Sequence, residues 1–323
     1  MRRWGVWLWA VAIAVAALPD VTHAQTWPTQ SIRIIVPYPA GGLSDVFARL
    51  IAERLGQALG QSVVVDNRPG GNTIIGTQVT AQSAPDGYTL LLTNAALSIN
   101  QNIVLNLPYD LKKDLAPVIY LGESYGLIVV TTGFKAKTLP EMIEMAKIAP
   151  GQYSVAVPGL GTNYRIALEQ LKEIAGVDLL MVPYKGSPPA ITDVIAGQVP
   201  IGIDSLVPLA PQVKAGRLRA LAVLSTTRAP DLPDVPTTAE VDLPDVVMYG
   251  YNALLAPAGT PPAVIEKINA AINDILVQPD TVIQAQKLGL RLGGGPPQKL
   301  KETIESVTAI YARVVKAANI KAE

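Results

Sequence analysis

Two glycine-rich segments hold the residues best suited to chemistry, Gly41-Gly42-Leu43-Ser44-Asp45 and Gly159-Leu160-Gly161-Thr162-Asn163. Each joins an apolar run to a helical pattern. In parallel α/β sheets such loops lie beyond the carboxyl ends of strands and feed helix N-termini, whose unpaired N–H groups and dipole attract anions. Glycine lets the backbone approach a ligand closely, and Ser44 or Asp45 stands where it can cap the next helix. Gly186-Ser187-Pro188 repeats the arrangement, with a Ser ahead of a Pro at the first helical position. One such turn by itself is an ordinary way to start a helix. Two of them, in separate halves of the chain, point to an anion site. Neither is a nucleotide signature: Gly159-Leu160-Gly161 lacks the third glycine in register, and no Walker-type phosphate loop occurs.

Composition removes most of the catalytic repertoire. The 323 residues contain 26 Lys or Arg and 26 Asp or Glu, no Cys, and His23 as the sole histidine. This balance argues against a nucleic-acid binder. Met1 to Arg3 is a short positive start, Trp4 to Leu18 an apolar run, and Thr22-His23-Ala24 a small-residue end, the pattern of an export signal cleaved after Ala24. The competing reading is a retained anchor, but the run falls short of the ~20 residues that span a bilayer. Cleavage takes His23 with it, leaving a chain without imidazole or thiol. Ser-His-Asp and Cys-His catalysis and His- or Cys-ligated metals are then unavailable. No metal or organic cofactor is required by anything in the sequence.

The elements that must position the loops read as strand, small-residue loop and helix in repetition. Ile32 to Tyr38, Ser62 to Asn67 and Thr89 to Thr93 are strand candidates. The helix after Gly42 carries Val46, Phe47, Leu50, Ile51, Leu55 and Leu59 at helical spacing. A parallel α/β sheet follows from this alternation. A second series runs from Leu127 to Thr131 through Tyr153 to Val157, a helix stopped by Gly176, a helix from Pro188 to Ala196, Ile201 to Asp204, and Ala220 to Leu224. Met248 to Ala256 reads as a strand, Pro262 to Val277 as a helix, and Leu300 to Ala318 as a final helix burying Leu300, Ile304, Val307, Tyr311, Val314 and Ala318. The expectation is two α/β lobes, 25–124 plus 249–323 and 125–248, with two crossings near residues 124 and 248 acting as a hinge.

Six ordered motifs carry a family resemblance. Pro37-Tyr38-Pro39-Ala40-Gly41-Gly42 with Asp45 and Ala48-Arg49 is one, and Asp66-Asn67-Arg68-Pro69-Gly70 another. Ala84 to Leu90, Val182 to Gly186, Leu232 to Thr237 and Ala256 to Pro261 complete the set. Together they resemble the Bug-type extracytoplasmic solute receptors of tripartite tricarboxylate transporters, over nearly the whole chain beyond the leader. The resemblance implies a periplasmic, monomeric, two-lobe Venus-flytrap protein of the type II binding-protein architecture. Such a receptor captures a small carboxylate and presents it to integral membrane transporter subunits. It implies that the loop from Tyr38 through Ala40, Gly41, Gly42 and Ser44 to Asp45, and the loop Gly159 to Thr162 with Gly161, grip one carboxylate through backbone N–H groups and ordered water. Asn94 to Ser98 and Asp204-Ser205 would shape the rest of the pocket.

Departures from the family pattern bear on the ligand. Pro158 stands where a small polar residue is common, and Arg165 where His is expected in many members. Arg165 is either a bidentate partner for a second carboxylate or a solvated helix cation. On the first reading the ligand is a dicarboxylate or an aromatic diacid. Asp204 either receives a ligand ammonium or caps a turn, and Lys185 is either a cleft cation or a surface lysine. Asp45 organises the first loop, since an ionised carboxylate beside a bound anion opposes binding. Two other functions are weighed: a sensory receptor docking on a membrane kinase, and a periplasmic enzyme using Asp66, Asp86 or Asp204, for which no paired spacing or nucleophile stands out.

Overall fold

A computed structural model describes residues 27–159, 162–248 and 250–317. The leader, Gly161 and Ala318 lie outside these residues. β1 (Ile32–Val36), β2 (Val63–Asn67) and β3 (Thr89–Asn94) run parallel. β1 and β3 are buried almost throughout, which is why they read as continuous apolar runs. α1 (Leu43–Leu59) and α2 (Ile74–Ala81) supply the crossovers, and α1 stops at Gly60 with φ +68°, a conformation natural to glycine. α3 (Ala96–Ile103) and α4 (Leu111–Asp114) lead into β4 (Leu115–Ser124).

A single residue, Tyr125, separates β4 from β5 (Gly126–Thr131), which belongs to a second sheet. There follow α5 (Leu139–Ile148), β6 (Ser154–Val157), α6 (Asn163–Ala175), β7 (Leu180–Pro183), α7 (Ser187–Ile195), β8 (Ile201–Ser205), α8 (Leu206–Lys214) and β9 (Leu218–Val223). The chain then returns to β10 (Asn252–Pro257), α9 (Pro262–Leu276), α10 (Pro279–Lys287), β11 (Leu290–Leu292) and α11 (Pro297–Ala317). The sheet orders are β11-β4-β10-β3-β1-β2 and β7-β6-β8-β5-β9.

Neither sheet is wholly parallel, which corrects the expectation from alternation alone. β10 runs antiparallel to β3 and β4, and β5 antiparallel to β8 and β9. Both strands enter from the other sheet with no α-helix in between, so they arrive at the carboxyl end of their neighbours and must run back. The strand read from Met248 also starts later, at Asn252, because the preceding residues form the crossing itself.

Each sheet has its own core. Ile34, Leu92, Ile119 and Leu254 pack beneath α1 and α9, while Ile128, Val155, Ile201 and Leu221 form the centre of the second sheet. On the other face of the first sheet, Ile35, Leu91 and Leu255 lie under α11, which contributes Leu300, Ile304, Val307, Tyr311 and Val314. The two crossings touch: a Cβ added at Gly126 would meet Met248 Sδ at 3.0 Å.

Candidate functional site

A cavity of about 250 Å³ opens between the two sheets where their loops converge. Tyr38 and Leu43, from the β1–α1 loop, and Asn94, Ala96 and Ile99, at the β3–α3 junction, form one wall. Thr162, Asn163 and Tyr164, at the start of α6, form the opposite wall. Ser124, Met248, Gly250, Tyr251 and Asn252, from the crossings, lie between them. None of the described lining residues is charged. Leu43, Ala96 and Asn163 are the first residues of α1, α3 and α6, so three helix starts border one uncharged space. The first intrahelical bonds are Val46 N–H to Gly42 O at 3.0 Å in α1 and Ile166 N–H to Thr162 O at 3.4 Å in α6. The preceding N–H groups have no acceptor within their own helix and remain for a ligand or water.

The first loop is held from behind by Asp45. Its carboxylate accepts from Gly41 N–H (2.8 Å), Arg49 Nε (3.1 Å) and Asn67 Nδ2 (3.0 Å), and Asn67 Nδ2 also reaches Tyr38 O at 3.1 Å. Burial alone would raise the Asp45 carboxyl. Hydrogen bonds from Arg49, Gly41 and Asn67 outweigh it and hold the group below the usual carboxylate range. The cap of α1 is Gly42, with no side-chain cap bond, so neither Ser44 nor Asp45 caps the helix in the usual sense. Asp45 fixes the residue before the cap instead, and Gly41 takes φ +82° to make that turn.

Tyr38 donates its hydroxyl proton to Asn94 Oδ1 at 2.6 Å, and Ala96 N–H donates to the same oxygen at 3.0 Å. With its acceptor occupied, Asn94 offers a ligand its Nδ2 donors. Burial pushes the Tyr38 phenol well above its ordinary value, so it stays a donor. In the second loop, Thr162 Oγ1 donates to Gly159 O at 2.9 Å and closes the turn on itself, while Gly159 takes φ +153°. Thr162 is the N-cap position of α6 yet makes no side-chain cap bond, which leaves the helix's first N–H groups unshielded.

The expected residues thus divide. Tyr38, Asn94 and Thr162 line the cavity. Ala40, Gly41 and Gly42 are exposed between two lining residues, Tyr38 and Leu43, whereas Ser44 is buried. Ser98 is wholly buried and bonds Tyr251 Oη and Thr308 Oγ1, both at 2.9 Å, so it braces the wall from behind. Arg165, the third residue of α6, is half-buried and outside the lining. Asp204 is buried at the carboxyl end of β8, where its Oδ1 accepts from Ser205 N–H at 2.6 Å. Burial raises its carboxyl against hydrogen bonds from Ser187 and Ser205. Burial and the nearby Asp204 charge both raise the Tyr164 phenol, and neither Asp204 nor Ser205 lines the cavity. Lys185 is exposed. Sequence reasoning did not single out Asn72, Ser124, Tyr164, Tyr251 or Asn252. The last two immediately follow the second crossing, and crossing residues belong to the floor of any cleft between lobes.

Two α/β lobes joined by paired crossings, with an uncharged cavity between them, define a two-lobe periplasmic binding protein. The chain belongs to the family described as the tripartite tricarboxylate transporter family receptor, whose model matches residues 47–320. The protein BugT of Bordetella pertussis is 38% identical over 277 residues, 85% of each chain. A protein from R. palustris solved with adipate is 32% identical with a TM-score of 0.78, covering 92% of this chain and 100% of that one. MatC from Rhodopseudomonas palustris with bound malate is 29% identical with a TM-score of 0.73, covering 90% and 100%. Membership makes this chain a periplasmic solute receptor of a transporter, not an enzyme.

Proposed function

We propose that the chain captures a small dicarboxylate between its lobes and delivers it, as a monomer, to the integral membrane subunits of its transporter. The observation that carries this reading is the meeting of three helix starts on one cavity without charged side chains. N–H groups and dipoles there can neutralise a carboxylate with no cation. Adipate and malate, present in two relatives, are both dicarboxylates.

One carboxylate sits against the Ala40 to Ser44 loop, where Asp45 holds Gly41 and leaves the backbone N–H groups of Gly42 and Ser44 to act with the Asn94 amide, and is completed from the other lobe by Gly159, Gly161 and Thr162. Ser98, Asp204 and Ser205 support the walls. The second carboxylate meets either Arg165 or the neutral donors Asn72 and Asn252. An Arg165→Ala protein distinguishes these: unchanged affinity assigns the second carboxylate to the neutral donors. The moving bodies are 25–124 plus 249–323 and 125–248, with export and cleavage after Ala24. Ligand binding to the closed arrangement drives closure by its differential affinity. A thermal-shift screen over mono-, di- and tricarboxylates tests the reading, because a ligand of the folded state raises its melting temperature. Dicarboxylates are expected to give the largest rise. A flat response across all the acids would overturn the proposal.

A further inference from the structure

α6 uses two sides for two lobes. Ala167, Leu168 and Leu171 pack into the core of its own sheet. Ile166 does not: it is 3% exposed and belongs to the cluster under α11, among residues of the first sheet's side such as Tyr251, Tyr311 and Val314. At about 100° per residue, Ile166 stands roughly opposite the Ala167–Leu171 face, so its own lobe cannot bury it. Gln170 follows one turn later on the Ile166 stripe. It is fully buried, and neither its Oε1 nor its Nε2 has a hydrogen-bond partner among the described residues. α6 and α11 are in contact, which makes this stripe a junction between lobes.

We infer that Ile166 and Gln170 set the affinity of capture by opposing each other across the lobe junction. Separating the lobes exposes Ile166 to water, which favours the closed arrangement. The same separation hydrates the Gln170 amide and relieves the penalty of burying unpaired polar groups, which favours opening. Two opposed contributions on one stripe keep the equilibrium near balance, where a ligand's preference for one state has most effect. Neither residue lines the cavity, so they act on affinity through lobe geometry and not through ligand contact. The inference rests on the closure reading proposed above, and its test is read without any ligand.

The chain has no cysteine, so Val46→Cys and Lys185→Cys, one exposed position per lobe, accept spin labels without background. Pulsed electron resonance then gives the inter-lobe distance distribution of the unliganded protein. Ile166→Ala is expected to raise the ratio of long to short distances by roughly tenfold, and Gln170→Leu to lower it. Should the Ala protein fail to fold, Ile166→Val is expected to give a smaller shift in the same direction. Distributions unchanged by the Ile166 substitutions, or a shift toward long distances in Gln170→Leu, overturn the inference. Either result leaves carboxylate capture itself standing, since that is read in separate titrations.

Discussion

Tyr38 and Asn94, which follow or end neighbouring parallel strands, are joined by a 2.6 Å hydrogen bond at the wall of the cavity. The bond fixes which end of the amide faces a ligand, because Ala96 N–H shares the same acceptor oxygen. Tyr38→Phe removes the hydroxyl while keeping the ring. The expected loss is about 1 kcal/mol of ligand binding, roughly fivefold in affinity, with little change in melting temperature. Calorimetric titration of the parent and the variant checks it.

Much of the fold was legible because central strands buried on both faces leave near-continuous apolar runs, as at Thr89–Asn94 and Gly126–Thr131. The final helix announced itself through Leu300, Ile304, Val307, Tyr311 and Val314, a clean helical period. β4 and α3 were not foreseen. The alternation in Leu115–Ser124 is irregular, and α3 has Ala95 at its cap position with its one side-chain acceptor, Asn94, a residue earlier inside β3, so neither start stands out locally. Of the site, the loop residues were readable from glycine and cap chemistry. The floor was not, since Ser124, Tyr251 and Asn252 come together only when two distant crossings pack side by side.

The Asp45 carboxylate should make the first loop sensitive to acid. Its native pKa lies below the unfolded value of about 3.9. It therefore contributes stability that is present above that value and is lost as pH falls through the native one. Asp45→Asn is expected to flatten the stability–pH curve below about pH 4. It should also weaken ligand binding at neutral pH, because Gly41 N–H loses its charged acceptor. Denaturant melts from pH 3 to 7 read the first effect (a window set around the carboxylate range, roughly).

Asp204 has the opposite sign. Burial raises its native pKa above the unfolded value, so the native state holds the extra proton. Stability therefore falls as pH rises between the two values, and the penalty is fully present above the native one. Asp204→Asn keeps an oxygen for Ser205 N–H and removes the charge. Its melting temperature at pH 7 is expected to rise by about 2 °C, with the gain disappearing in acid. An unchanged or lower value at pH 7 contradicts the assignment.

Gly250 marks how closely the second crossing approaches α6. A Cβ there would stand 3.3 Å from Asn163 Nδ2, tight enough to push that side chain by a few tenths of an ångström at the cavity wall. Gly250→Ala is expected to fold normally and to lose severalfold in affinity, mostly through faster release. Stopped-flow dissociation kinetics beside a thermal melt separates this from general destabilisation.

The central claim is that uncharged helix starts from both lobes hold a carboxylate of an organic anion in the cavity between them. Calorimetric titration with malate, adipate and the uncharged diamide of adipate tests it most directly. The predicted result is one-to-one binding of at least one of the acids and none of the diamide. Binding of the diamide as tight as that of the acids would contradict it.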